Sequence, residues 1–202
     1  MSNATPTPGT RENEQRRKII ATAERLFREI GFQKTTVADI ARALGMSPAN
    51  VYRFFGAKSE ITQAVARQMM GEIEEAVRKI ALGPVDAETR LRDLVTTNEA
   101  MNAARYVSDR KLHDMVETAL NENWPIIPEH IEQIDQLVEI VIASGMKSGE
   151  FAAGDAKLAA RLVHTACVRY CHPRLMVECA ERPEPSSAQM LDFCLKALRA
   201  PR

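Results

Sequence analysis

Between Glu12 and Ile30 the apolar residues return every three or four positions: Ile19, Ala23, Leu26 and Ile30, with Ile20 and Phe27 beside them. That spacing is one stripe of an amphipathic helix, and Gly31 follows where a left-handed terminal residue is wanted. A short second helix is predicted from Thr36, whose hydroxyl can cap it, with Asp39 three positions on as a weaker form of capping box. Val37, Ile40, Ala41 and Leu44 form its buried face, and Gly45 closes it. Ser47-Pro48 marks a third start, with a serine cap and a proline at the first helical position, where a missing N–H costs nothing. This helix is expected to end near Phe54-Phe55-Gly56, and a long fourth helix to run from Lys58 to Leu82.

Gly83-Pro84 is the clearest break in the chain. Beyond it the pattern predicts helices over Ala87–Val107, Asp109–Asn121, Pro128–Lys147, Asp155–Cys171 and Ser187–Ala200. Trp124-Pro125, Gly149, Gly154, His172-Pro173 and the Pro183-Glu184-Pro185 loop separate them. No segment alternates as a strand would. The expected fold is all-α: a three-helix helix-turn-helix domain over residues 12–57, then a larger helical domain over 58–202. Residues 1–11 are expected to be a disordered leader; Met1 to Thr10 has no apolar run of the kind a secretory signal carries.

Composition changes this picture little, but the distribution of charge does. The 202 residues carry 27 basic and 27 acidic side chains. Between Arg11 and Met70 there are eleven Lys/Arg against six Asp/Glu, whereas the rest has sixteen against twenty-one. A basic head on an acidic body suits a nucleic-acid-binding module tied to a domain that should avoid DNA. The four cysteines, Cys167, Cys171, Cys179 and Cys194, lie in the last quarter and frame no disulfide scaffold. With no long apolar run for a membrane span, a reducing cytoplasm is the expected setting.

A helix entering the major groove must show small or polar side chains outward and apolar ones inward. In Ser47-Pro-Ala-Asn-Val-Tyr-Arg-Phe-Phe55 the inward set is Val51, Phe54 and Phe55, with Met46 just before it. The outward set is Ser47, Pro48, Ala49, Asn50 and Arg53. Asn50 can pair with an adenine edge, Arg53 with guanine or phosphate, and Pro48 and Ala49 can pack on a thymine methyl. Tyr52 suits the phosphate backbone. The bland alternative makes Tyr52 a half-buried packing residue and Arg53 a solvated charge.

Residues 17–62 resemble the DNA-binding domain of the TetR (tetracycline-repressor) family. The matching stretches are Ile20-Ala-Thr-Ala-Glu-Arg-Leu-Phe27, Gly31-Phe32, Thr35-Thr36-Val-Ala-Asp-Ile-Ala41, Leu44-Gly45 and Val51-Tyr-Arg-Phe-Phe-Gly-Ala-Lys58. The resemblance implies that Thr36, Tyr52 and Lys58 contact phosphates and that Pro48, Ala49, Asn50 and Arg53 face bases. Two residues depart from the family pattern. Phe54 stands where Tyr or His is common, and Ala57 replaces a common serine cap, which should weaken the fourth helix's start by about 1 kcal/mol. A palindromic double-stranded operator read by a homodimer, with half-sites about 34–36 Å apart or a multiple of that, is expected. The resemblance also implies that the last two main helices pair with their copies as a four-helix bundle. Leu158, Leu162 and Thr165 mark one face of Asp155–Cys171; Ala160, Val163, Cys167 and Tyr170 mark another, and the second is assigned to the dimer seam. Met190, Phe193, Cys194 and Ala197 join it from the last helix, opposite Leu191, Leu195 and Leu198. Burial of these faces within one subunit is the alternative.

The middle helices should enclose a small-molecule effector. In Ala87–Val107 the apolar stripe of Leu91, Leu94 and Val95 continues into Asn98, Met101, Asn102 and Arg105. Buried polar groups there need partners, either a ligand or one another and water. Met115 offers adaptable apolar surface, and Trp124 either lines the pocket or plugs the domain. His113, at the edge of its helix's apolar face, reads as a satisfied histidine. His164, Cys167, Cys171 and His172 form a rival constellation for zinc or redox sensing, although plain packing suits them and neither a metal nor a cofactor is expected. Effector binding is expected to shift the spacing of the two DNA-reading heads, with the fourth helix as lever. An enzyme or a small-molecule-binding protein without DNA activity is the alternative, but no nucleophile elbow, phosphate loop or metalloprotease helix is present.

Overall fold

Ile19, Ala23 and Phe27, four residues apart, are the fully buried line of α1 (Pro8–Ile30). The computed structural model describes residues 8–107, 110–122, 124–182 and 184–199. Two details of α1 differ from the sequence reading. It begins at Pro8, so residues 8–11 belong to it and not to a leader, whose first seven residues lie outside the described ones. Its buried line runs through Phe27, whereas Ile30 is exposed, because Phe27 meets Phe32 edge to face with ring centroids 6.3 Å apart. Gly31 takes the left-handed φ of +91° that ends the helix.

α2 (Val37–Ala43) starts on a full capping box: the Thr36 hydroxyl accepts from the Asp39 N–H, and the Asp39 carboxylate accepts from the Thr36 N–H. Gly45, at φ +65°, turns the chain towards α3 (Pro48–Tyr52), which Ser47 caps through the Asn50 N–H. α4 spans Lys58–Ala81. The chain divides into two compact units between Met69 and Met70, inside α4, and not at the 57/58 boundary read from sequence. The first half of α4 supplies buried Ile61, Val65 and Met69 to the first unit's core.

In the second unit α5 (Ala87–Asn102) runs directly into a π-helical turn, Ala103–Val107. α6 (Arg110–Asn121), α7 (Ile126–Ser148), α8 (Ala156–Cys171), α9 (Pro173–Glu178) and α10 (Ser187–Leu198) follow. The core is built on the α7–α8 pairing, with α5 and α10 against it. α9 was not foreseen: the proline of His172-Pro173, read as a breaker, occupies a first helical position and starts the helix. Among the described residues there is no strand, only a single antiparallel bridge between Phe151 and Arg199. No helix among them is long and apolar enough to cross a membrane.

The faces of α8 and α10 correct the seam assignment. Ala160, Val163, Cys167, Tyr170 and Cys194 are buried in the protomer's own core. The Tyr170 hydroxyl donates to the Pro185 carbonyl at 2.6 Å, and Cys167 and Cys194 share the core, where burial raises the pKa of both thiols. Both faces of α8 carry apolar residues, and the face turned inward is the one that packs on α5, α7 and α10. Leu158 and Leu162 remain 55% and 62% exposed, and Phe193 on α10 is 69% exposed. Of the remaining seam residues, Ala197 is exposed and Met190 half-buried against the core.

Candidate functional site

Two places gather the residues singled out above, one in each unit. In the first, α3 is held from below. Val51 and Phe55 are buried, and the Arg16 guanidinium stacks 4.2 Å over the Phe55 ring while donating to the Phe54 carbonyl. Phe54 itself is half-buried. Fixing that face turns the other outward: Ser47, Pro48, Ala49 and Arg53 are exposed, Asn50 is partly so, and Tyr52 is 49% exposed.

Chemistry on this face is unevenly available. The Thr36 hydroxyl donates to Asp39 at 2.6 Å while accepting from the Asp39 N–H, so its donor is already committed to the cap. Ser47 uses only its acceptor, which leaves its O–H to donate. Asn50 Oδ1 accepts from Arg53 at 3.4 Å, a long contact that either residue can release at small cost. Lys58 Nζ donates to the Gln33 carbonyl at 3.0 Å, and partial burial lowers its pKa from the usual lysine value. Two of its three ammonium donors remain for a phosphate. The missing serine cap at Ala57 is partly replaced: the Glu60 carboxylate accepts from the Gly56 N–H at 2.9 Å, just ahead of α4.

The second place is a cavity of about 100 Å³ inside the second unit. Its wall is mostly apolar: Met70 and Ile73 of α4, Val116 and Leu120 of α6, Ile127, Ile131 and Ile134 of α7, and Val168 of α8. The polar groups are few. Asn98 and Asn102 of α5 line it, though only 6% and 5% exposed. Asn102 Nδ2 donates to the Asn98 carbonyl at 3.0 Å and to Asn98 Oδ1 at 2.7 Å. That leaves the Asn98 amide donor and the Asn102 amide acceptor turned to neither. Tyr106, His130, His164 and His172 complete the polar set, and among the described residues no Lys, Arg, Asp or Glu lines the cavity.

Two of these histidines are oriented from behind. His130 Nδ1 lies 2.6 Å from Glu74 Oε1, and His164 Nδ1 is hydrogen-bonded to Asp135. An ionised carboxylate can only accept, so Nδ1 carries the proton and Nε2 is the ring atom left over. Burial lowers the pKa of His172, whose Nδ1 is buried without a protein partner.

The effector residues read from the sequence divide. Asn98 and Asn102 line the cavity; Met101, Arg105, Met115 and Trp124 do not. Met101 packs on the core, Met115 is fully buried outside the wall, and Arg105 pairs with Glu72. Trp124 plugs the domain, its indole N–H donating to Glu122 at 2.8 Å. Tyr106 was missed because the π turn has no sequence signature. His130 was missed because its partner lies 56 residues away. The rival constellation is taken apart: His164, Cys171 and His172 line the cavity, whereas Cys167 sits in the core against Cys194. Among the described residues no three His, Cys, Asp or Glu side chains converge to hold a metal ion. Burial pushes the Cys167 and Cys171 thiols up to about 12, which makes them poor nucleophiles.

Comparison with known proteins addresses both units. Residues 19–65 match the family described as bacterial regulatory proteins, tetR family, and residues 87–190 match the tetracyclin repressor-like C-terminal domain. The HTH-type transcriptional regulator BetI of Stenotrophomonas maltophilia is 34% identical over 88 residues, 43% of this chain and 45% of that protein. The chain thus spans under half the length of this curated relative. A transcriptional regulator from Cytophaga hutchinsonii shares the fold with a TM-score of 0.70, covering 92% of this chain and 99% of that one at 21% identity. SmeT of the same Stenotrophomonas species, in complex with triclosan, aligns with a TM-score of 0.65 over 93% of this chain and 92% of its own, also at 21% identity.

Proposed function

We propose, from the premise that the chain belongs to the TetR family of bacterial regulatory proteins, that it represses transcription as a homodimer on an inverted-repeat operator and lets go when a small molecule fills the cavity of its second unit. The single observation that carries the DNA reading is the outward set on α3. Pro48, Ala49, Asn50 and Arg53 stand clear of the fold while Val51 and Phe55 anchor the helix from the other side. Tyr52, Ser47 and Lys58 flank that set with donors for phosphates, whose contacts position the helix while the base contacts specify sequence. Thr36 serves here through the shape and rigidity of its cap.

Leu158, Leu162 and Phe193 supply the dimer seam in place of the buried residues read from the sequence. They are large, apolar and exposed, and α8 and α10 pack on one another. Exposed leucines and phenylalanines gathered on one pair of helices mark an interface. Effector binding then works as a population shift: a ligand that prefers a head spacing unsuited to the operator releases DNA, and DNA weakens the ligand by the same factor. A regulator of this kind acts in the cytoplasm. The enzyme alternative gains nothing from the cavity, whose one thiol, Cys171, is held protonated by burial.

A gel shift against the DNA upstream of the protein's own gene tests this reading. Wild type is expected to shift the probe. The Tyr52→Ala, Lys58→Ala double variant should bind roughly 100-fold more weakly, since two charge-assisted contacts at about 1.5 kcal/mol each are lost. Equal shifts by both proteins, or none by wild type on any operator fragment, would count against it.

A further inference from the structure

The cavity of the second unit has a composition that selects its occupant. It is lined largely by branched aliphatic side chains, and among the described residues no Lys, Arg, Asp or Glu faces it. A carboxylate or phosphate ligand would find no net positive charge there, because His130 and His164 are each already paired with a carboxylate and burial lowers the pKa of His172, so shedding its water is strongly unfavourable. A bare hydrocarbon would satisfy the walls but leave buried polar groups unmet. The Asn98 amide is more than nine-tenths buried, and its donor is not used by Asn102. Beside it on α5, the Asn102 carbonyl oxygen is an unused acceptor.

The histidines narrow the choice. With Nδ1 held by Glu74 and by Asp135, His130 and His164 each have Nε2 as the remaining polar atom. Nε2 accepts when the ring is neutral and donates when it is charged. One small group answers both states and both amides: a hydroxyl, which donates one hydrogen bond and accepts two. Size narrows it again. At about 100 Å³ the cavity is no larger than apolar cavities that hold a single benzene ring.

We infer that this cavity binds an uncharged molecule of single-ring size that carries a hydroxyl, an alcohol or a phenol, with its apolar body against Ile73, Ile134 and Val168 and its hydroxyl read by Asn98, Asn102 and the carboxylate-backed histidines. The inference rests on the reading of the cavity as the effector site, and adds to it the chemistry of the effector.

Calorimetric titration of the full-length protein with p-cresol, toluene and benzoate separates the possibilities, because the three share a ring and differ in the polar group. p-Cresol is expected to bind saturably at one site per chain, at least about tenfold tighter than toluene, with no saturable binding of benzoate. Asn98→Leu keeps the side chain's bulk and removes its donor; it should bring p-cresol and toluene within about threefold of each other. If that variant fails to fold, His164→Phe makes the same comparison, and the wild-type series decides by itself. Toluene binding as tightly as p-cresol, benzoate binding more tightly than either, or no saturable binding of p-cresol would overturn the inference. Adding p-cresol to the operator complex keeps the two ideas apart. Binding without DNA release would refute the effector role and leave the ligand class standing.

Discussion

Replacing Leu162 by arginine is expected to convert the proposed homodimer to monomers and to lower operator affinity by at least about 100-fold. Leu162 and Leu158 project from α8, and Phe193 from the adjoining α10, all more than half exposed. A guanidinium placed there would lose its water in the proposed seam of leucine and phenylalanine, with no carboxylate supplied by those residues, and burying an unpaired charge costs several kcal/mol. The monomer itself should tolerate the change, because the position makes no contribution to its core. Circular dichroism and thermal midpoint are therefore expected to stay near wild type while light scattering reports half the mass. DNA affinity falls because the second reading head is no longer held beside the first, and tethered heads gain about 10²–10⁴ in effective affinity. A variant that stays dimeric would place the seam elsewhere on the surface. A monomer that binds the operator as well as wild type would remove the need for two heads.

The second large effect is on stability. Gly145→Ala should lower the thermal midpoint by about 4–8 °C, although alanine in an ordinary helix position gains about 1 kcal/mol over glycine. Gly145 lies in α7 where the chain returns beneath it: a Cβ there would stand 2.3 Å from the Phe151 ring and 2.8 Å from the Ala87 Cβ. Neither neighbour can retreat. Phe151 is 2% exposed and its backbone N–H donates to the Gly145 carbonyl at 3.0 Å; Ala87 is fully buried at the start of α5, its N–H held by the Glu150 carboxylate at 2.8 Å. Forced overpacking of this kind costs about 1–3 kcal/mol and at times more, which outweighs the helix-propensity gain. Gly71→Ala in α4 is the control, since a Cβ there meets open space; it should leave the midpoint unchanged or raise it slightly. Equal behaviour of the two variants in a thermal melt would refute the packing argument.

The first unit was legible because its start and stop signals are local. Thr36 with Asp39, Ser47 with Pro48, and the glycines at 31 and 45 each act over four residues or fewer, and the structure uses every one of them as read. The second unit was legible only as helices. Which face of α8 turns inward depends on how Ala160 and Val163 fit α7 and α5, and periodicity cannot rank two apolar faces. Asn98 and Asn102 announced themselves as polar residues on an apolar stripe. His130 did not, since Glu74 reaches it from another helix, and His164 and His172 stood out only as candidates for metal or redox chemistry, since the Asp135 partner of His164 also lies on another helix. The switch from α-helical to π-helical hydrogen bonding after Asn102 is equally silent in the residues, yet it is the element that carries Tyr106.

Selection of bound sequences from a random DNA pool addresses the outward face of α3 most directly. Wild type should enrich an inverted repeat. Arg53→Ala should relax preference at one base position in each half, losing about 1–3 kcal/mol there, while Lys58→Ala weakens every sequence alike and leaves the repeat unchanged. A pool that stays random under wild-type selection, or an enriched repeat that Arg53→Ala and Asn50→Ala both leave intact at every position, would mean that these side chains do not read DNA.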